Sequence, residues 1–474
     1  MKSTINICHM ANKLRSKDLN KIGINSNKTI SIAMLILNKK KYKSYTSEMK
    51  LDLIKRVMTS PDQFLKDEFL KNVALEFYEP EVVEKEEIKL QEEAELNVFG
   101  RPLIKSNAYQ QMNHAMKLPI VHKGALMPDS HLGYGLPIGA ALAVDNAVIP
   151  FAIGMDIGCR MSLTLYDVTA RFFKMHDHKF TQSILNNTAF GLSKTVSFSQ
   201  EHEFLDRDTL NSTAFLKKLK SKAARQLGSS GSGNHFVEWG LVEIKDSDLG
   251  IPDGEYIGLL AHSGSRGFGA SIAKFYSELA SNNSRLPHSL RHLAWLDLND
   301  ESGQEYWLSM NLAGDYAKAC HDQIHKNVSK AMGLNPIAKI ENHHNFAWME
   351  TVDGKERVVH RKGSTPAGKG EYGIIPGSMT DPGFIVRGKG CSDSLQSASH
   401  GAGRKYSRKE TCSRNTKSEM RKELRNKGVK LIGGALDESP FAYKSLEMVM
   451  SFQEELVDVI GKFYPKIVRM DRDK

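Results

Sequence analysis

Apolar residues recur at helical spacing in two stretches of the chain. After Ser60-Pro61, Leu65, Phe69, Val73 and Phe77 fall four residues apart, which stacks them on one helix face. A proline at the first helical position favours a start there, and Pro80 closes the segment. A longer stripe, Tyr306, Met310, Ala313, Ala317, Cys320, Ile324 and Val328, follows Ser302-Gly303-Gln304-Glu305, which reads as a capping box. This stripe puts Cys320 in the core, and it puts His321 and His325 on a solvated flank. Between Glu81 and Glu95 an acidic run interspersed with Ile88 and Leu90, and reaching Leu96, predicts a solvated helix or linker.

From Gly100 onward the pattern shortens. Apolar runs end in loops rich in Gly, Ser, Asn and His, so candidate chemistry is expected at strand ends. Ala147 to Ile153 feeds Gly154-Met155-Asp156, and Tyr256 to Ala261 feeds His262-Ser263-Gly264. The loop Gly228 to His235 precedes Phe236 to Ile244, and Asp353-Gly354 turns a hairpin between Phe346–Val352 and Arg357–Arg361. The organisation that follows is a helical N-terminal extension and linker over residues 1–95, then a large α/β (α+β) domain over 96–474. The extension is Lys-rich and nearly free of glycine after Gly23.

Composition adds three constraints. The stretch Ile30 to Leu37 is far shorter than the ~20 apolar residues of a membrane span, and no secretory signal opens the chain, so a cytoplasmic protein is expected with no membrane partner. Five cysteines without a C-x-x-C pair suggest neither a disulfide framework nor a zinc ribbon. A formal charge of +10 over 474 residues favours a polyanionic partner such as nucleic acid. The segment after His360 is strongly basic, with Arg361-Lys362, Lys405, Arg408-Lys409, Arg414, Lys417, Arg421-Lys422, Arg425 and Lys427.

Asp156-Ile157-Gly158-Cys159 joins a carboxylate to a thiol at one chain reversal. The bland reading is a turn aspartate beside a buried free cysteine. His235, His262 and His344, all in loop contexts, favour a metal site instead, and mixed N, O and S donors point to Mn, Fe, Co or Zn. If Cys159 bridges, five ligands can serve two ions. Two further stretches, Ile375 to Met379 and Ser399-His400-Gly401-Ala402-Gly403-Arg404, combine small residues that expose backbone N–H groups with a guanidinium suited to phosphate. A histidine there could attack phosphorus beside such metals. Met127 to Gly135 holds Asp129 in a glycine-spaced turn that is equally consistent with an Asx turn or a ligand approach.

These stretches together carry a resemblance. MPDSHLGYG (127–135), GMDIGC (154–159), GSGNHFVEW (231–239), HSGSRGFG (262–269), HHNFA (343–347), VHRKGST (359–365), IPGSM (375–379), SHGAGR (399–404) and DESPFAYK (437–444) resemble the RtcB family of RNA ligases over residues 100 to 460. The resemblance implies two Mn²⁺ ions bridged by Cys159, with Asp156 and His235 on one and His262 and His344 on the other. It implies GTP held by Asn234, His235, Phe236, Val237, Glu238, His344, Asn345, Pro376, Gly377, Ser378, Met379, His400, Gly401, Ala402 and Gly403. His400 would take GMP covalently and pass it to an RNA 3′-phosphate, which a 5′-hydroxyl then attacks. Asp129 would act near the reacting ends, and a 2′,3′-cyclic phosphate would be opened first.

The partners implied are tRNA or cleaved RNA ends, met by a monomer acting in RNA repair or tRNA splicing. Two departures stand out. The tail runs Val468-Arg469-Met470-Asp471-Arg472-Asp473-Lys474 where the family ends in Val-Lys-Gly, and Thr380-Asp381-Pro382-Gly383 stands where it often has Gly-Thr-Ala-Ser. They motivate one alternative, a Mn-dependent RNA-end phosphatase or cyclic phosphodiesterase; the basic surface and the extra N-terminal segment motivate another, a non-catalytic RNA-end binding factor.

Overall fold

The computed structural model describes residues 14–78, 87–92, 94–191, 200–246 and 248–472. It divides into two compact units, Met1–Glu86 and Glu87–Lys474. The first is helical, with Asn27–Leu37 and Ser47–Thr59 as its longest helices. Each starts at a hydroxyl cap, where Ser26 and Thr46 accept from the backbone N–H three residues on. Leu19, Ala33, Leu37, Ile54, Val57 and Val73 close a core of its own.

The expected helix through Leu65 and Phe77 is not continuous. A 3₁₀ turn spans Pro61–Phe64 and a short helix Lys71–Ala74. Between them the Asp67 carboxylate accepts from the N–H groups of Phe69 and Leu70, both at 2.8 Å, an Asx-type turn that competes with helix. Pro80 lies outside the described residues, as do Glu81 to Glu86 and Glu93 of the acidic run. Ile88 and Leu90 pack against the main core of the second unit, and Leu96 lies in a strand, Glu95–Val98.

The second unit is mixed α and β. One five-stranded sheet has the order Glu95–Val98, Val121–His131, Ile138–Val144, Lys355–Lys362, Asn345–Val352. The last two strands form the expected hairpin, with Asp353 (φ 49) and Gly354 (φ 75) both left-handed at its turn. A larger sheet runs Tyr372–Ile375, Gly383–Gly388, Val457–Arg472, Phe236–Ile244, Gly254–Ser263, Arg160–Tyr166, Ala338–His343. Its two ends are linked by one side chain. The Asn342 amide donates to the Ile374 carbonyl (3.2 Å) and accepts from the Ile374 N–H (2.9 Å), standing in for a strand pair.

The long helix is Glu301–Met332. Its N-cap is Asp300, so Ser302 already lies inside the helix and the expected capping box does not form; a Cβ on Gly303 would meet the Asp297 carbonyl at 1.9 Å. Cys320 is buried as expected, but His321 and His325 are buried too, correcting the solvated-flank expectation. The helix packs on both flanks, and each ring finds one partner on the sheet: His321 Nε2 lies 3.1 Å from the Ser263 carbonyl and His325 Nδ1 2.7 Å from Thr164 Oγ1.

Among the described residues Cys159, Cys320, Cys391 and Cys412 are all free. No described helix is long and apolar enough to cross a membrane.

Candidate active site

The Asp156 to Cys159 turn does not hang from a strand end. Pro150 opens a one-turn helix, Pro150–Ile153, so the apolar run before it is mostly helical, and Cys159 sits just before the strand Arg160–Tyr166. The Cys159 N–H donates to the Asp156 carbonyl (3.2 Å), the His344 N–H to the Cys159 carbonyl (3.0 Å) and the Gly158 N–H to the Asn345 carbonyl (2.7 Å). These bonds bring the turn to the junction between His343 and Asn345. His262 lies at the end of the neighbouring strand, opposite Met161 on one side and Phe236 on the other. His235 enters from the loop before Phe236.

The sequence candidates converge. Asp156, Cys159 and His235 form one group of potential ligands and Cys159, His262 and His344 a second, the donor atoms within each lying within 4.8 Å of one another. Cys159 belongs to both. Its sulfur is 3.4 Å from His235 Nε2 and 3.2 Å from His262 Nε2. His262 Nε2 is 3.2 Å from His344 Nε2, and Asp156 Oδ2 is 2.9 Å from His235 Nε2. Two glycines make room: a Cβ on Gly231 would sit 1.8 Å from His235 Nδ1, and one on Gly264 1.9 Å from Asp156 Oδ1.

This donor set fits metal ions. His262 Nδ1–H donates to the Asn234 carbonyl (3.1 Å), which leaves a lone pair on Nε2 facing the group. Burial, then the charge of His235, pushes the His262 imidazole down to about 3, and burial, then His400, pushes His344 well below its ordinary value, so both are neutral donors. Burial would raise the Asp156 carboxyl, but His235 and then Cys159 outweigh it and hold it at about 2. Burial and Asp156 push the Cys159 thiol up, so a thiolate there needs a cation beside it.

His400 follows the short strand Ser397–Ser399. Its Nδ1 is 2.7 Å from Asp129 Oδ2, and Asp129 is fully buried. A carboxylate can only accept, so Nδ1 carries the proton and Nε2 keeps its lone pair. The His400 ring centroid lies 4.9 Å from that of His344.

A cavity of about 770 Å³ opens beside it, lined by Asn234, Phe236, Glu238, His262, Pro376 to Met379 and His400 to Gly403 among others. Glu238 is 5% exposed, and burial alone raises its carboxyl. Of the residues implied to hold the nucleotide, His235, Val237, His344 and Asn345 do not line the cavity. Val237 packs with Trp239 and Ile257 in the apolar layer, since alternate residues of one strand face opposite ways. The Asn345 amide is already engaged, accepting from the Gly363 N–H (2.9 Å) and donating to the Asp156 carbonyl (3.4 Å).

Arg404 is no free phosphate fork either. Its guanidinium donates to Glu438 (3.1 Å) and to the carbonyls of Asp437 (2.7 Å) and Tyr406 (3.1 Å). Arg361 and Lys362 are buried and leave the basic surface, Arg361 bridging Glu350 with both terminal nitrogens.

Sequence reasoning missed Lys444, whose ammonium donates to the Pro128 (3.0 Å) and Ser130 (2.9 Å) carbonyls on either side of Asp129. Its position at the end of DESPFAYK was the one signal available. Asp381, which accepts from the Ser378 hydroxyl at 2.6 Å and lines the cavity, was noticed only as a departure.

Comparison with known proteins agrees with this geometry. A family model described as tRNA-splicing ligase RtcB matches residues 111–471. The chain is 30% identical over 389 residues to the RNA-splicing ligase RtcB of Escherichia coli strain K12, covering 75% of this chain and 92% of that protein. It is 30% identical over 438 residues to the tRNA-splicing ligase RtcB of Nanoarchaeum equitans, covering 76% and 90%. With RNA-splicing ligase RtcB homolog 1 of Entamoeba histolytica it shares 28% identity over 438 residues, covering 77% and 83%. The chain therefore belongs to the RtcB family of ligases.

Proposed function

We propose that the chain is an RNA ligase that uses GTP and two Mn²⁺ ions to join RNA 3′-phosphate or 2′,3′-cyclic phosphate ends to 5′-hydroxyl ends. The observation that carries this reading is His400: a histidine with its Nδ1 held by a buried carboxylate, its Nε2 free, and its ring beside His344 of two potential ligand groups that share Cys159. Asp156, Cys159 and His235 would hold one ion and Cys159, His262 and His344 the other. Such ions spread the charge that builds on phosphoryl oxygens.

The chain's own groups do the rest. The cavity takes the nucleotide against Glu238, Pro376 to Met379 and Gly401 to Gly403. His400 Nε2 attacks the α-phosphorus, and the bond to the β-phosphate oxygen breaks with release of pyrophosphate. A 2′,3′-cyclic phosphate is first opened by water, whose oxygen bonds to phosphorus as the bond to the 2′-oxygen breaks and the 2′-oxygen takes the proton. An oxygen of the RNA 3′-phosphate then displaces the imidazole from the guanylyl phosphorus. The 5′-hydroxyl oxygen then attacks the activated 3′-phosphorus and GMP leaves. Asp129 keeps the Nδ1 proton in place throughout, so that Nε2 alternates between nucleophile and leaving group.

Incubation with Mn²⁺ and α-labelled GTP is expected to label the protein covalently, with the label absent in His400→Ala and discharged by RNA bearing the two ends. No label with any metal or nucleoside triphosphate would sink the reading. A second reading, a Mn²⁺-dependent RNA-end phosphatase, draws on Asp381, an extra carboxylate on the cavity wall. It predicts phosphate release from RNA 3′ ends without nucleotide.

A further inference from the structure

We propose that Tyr134 is a stacking platform for the terminal base of an RNA end brought to the cavity. The inference rests on the RNA-ligase reading above and adds a residue that positions the substrate.

Tyr134 is 83% exposed, the most of any large hydrophobic side chain among the described residues, and it lines the same cavity as His400. Its neighbour Leu132 is 55% exposed. The turn that carries them leaves the strand Val121–His131, which also carries Asp129.

The backbone of this turn is held from every side. The Gln111 amide donates to the carbonyls of Gly133 (2.8 Å) and Gly135 (2.9 Å) and accepts from the Gly133 N–H (3.1 Å). The buried Lys362 ammonium donates to the Tyr134 carbonyl and to that of Phe151. Gly135 has φ +77 and presses so closely on the Phe151 carbonyl that a Cβ would lie 2.6 Å from it. A side-chain amide and a buried ammonium are thus committed to fixing a loop whose aromatic ring faces solvent. That is the construction of a preorganised contact surface, in which the ordering cost is met before the ligand arrives.

A protein that joins two RNA ends must hold single-stranded termini, and every base offers a flat face to an aromatic ring. Also lining the cavity, Lys105 and Lys405 flank the Tyr406 ring at 6.0 and 5.2 Å. Those lysines supply cations for the phosphates, and Tyr134 supplies the stacking face.

The test uses the full chain. Tyr134→Ala is expected to raise the KM for RNA by about 5- to 150-fold, the range for losing one base stack, with kcat at saturating RNA within about twofold. Tyr134→Phe should behave as wild type, and Tyr134→Leu should behave as the alanine variant, because an apolar side chain without a ring cannot stack. RNA carrying 2-aminopurine at its terminal nucleotide should be quenched by the wild type and the phenylalanine variant only. Labelling by GTP, which needs no RNA, separates the two readings: its absence in the wild type overturns the ligase assignment. Intact labelling with unchanged KM and quenching in Tyr134→Ala overturns the stacking platform. If the alanine variant loses labelling as well, equal KM values for the leucine and phenylalanine variants overturn it.

Discussion

Replacing Asp129 by asparagine tests the orientation of His400 most directly, because the change alters charge and hydrogen-bond polarity at nearly constant shape. The carboxylate is fully buried, and its Oδ2 receives the His400 Nδ1 proton at 2.7 Å while Oδ1 has no partner. Losing the charge on such a bond costs about 1.5–3 kcal/mol, or roughly 10- to 150-fold in rate. An asparagine can also turn its NH₂ toward Nδ1, which moves the ring proton to Nε2 and removes the attacking lone pair. In serine-protease triads that inversion costs about 10⁴-fold. The rate of covalent labelling by GTP in a single turnover is therefore expected to fall roughly 100- to 10,000-fold. Asp129 is not part of the cavity lining, so the nucleotide concentration for half-maximal labelling should stay within about twofold. A labelling rate within about threefold of wild type would refute the assignment of Asp129 as the group that orients His400.

Mn²⁺ titration should find two sites, and Cys159→Ala should weaken both by at least about tenfold while His235→Ala spares one; an alanine variant that keeps both sites refutes the shared thiolate. Asn345→Ala should lower the labelling rate with little change in nucleotide KM, since its amide ties the Asp156 turn to Gly363 and not to the cavity; a raised KM alone would restore Asn345 as a nucleotide contact. His360 is fully buried, accepts the Ile149 N–H on Nε2 at 2.9 Å, and is pushed down to about 4 by burial. The unfolded chain, with a pKa near ~6.5, then binds the extra proton between pH 6.5 and 4, so the stabilisation is complete above that window and about 3 kcal/mol is lost as pH falls through it. Denaturant melts of His360→Gln should show a shallower acid loss than wild type, and parallel curves would exclude the effect.

Local pattern carried the parts of this molecule that local forces decide. The Asp353-Gly354 turn was legible because two successive left-handed residues are a backbone demand that few sequences meet. The cluster of potential ligands was legible because a thiol, a carboxylate and three histidines at or beside strand ends are rare together, and the glycines around them mark where bulk is forbidden. His321 and His325 were not, because a hydrophobic stripe says nothing about whether the flank is covered by a second layer. The long-range engagement of Arg404 and Asn345 was hidden for a related reason. Their chemistry suits phosphate or nucleotide, but Glu438, Asp437 and Gly363, distant in sequence, had already claimed their donors and acceptors. The helix expected through Leu65 gave way to one aspartate whose side chain satisfied two backbone donors locally.

The same distant claims explain how His400 and the potential ligands come to share one place. Asp129 belongs to the five-stranded sheet, whereas His262 belongs to the larger sheet and Cys159 and His235 immediately precede two of its strands. The two sheets meet where Ala338–His343 of one gives way, across His344 alone, to Asn345–Val352 of the other. At that crossing the Gly363 N–H donates to the His344 carbonyl (2.7 Å), and His344 in turn donates to Cys159. Gly363 must be glycine there, with φ +59 and a Cβ that would lie 2.2 Å from Ile138 and 3.1 Å from the His400 ring. One backbone crossing therefore sets the distance between the ligand groups and the His400 imidazole. A phosphoryl transfer that needs both within reach of one phosphorus depends on that crossing as much as on any side chain that touches the nucleotide.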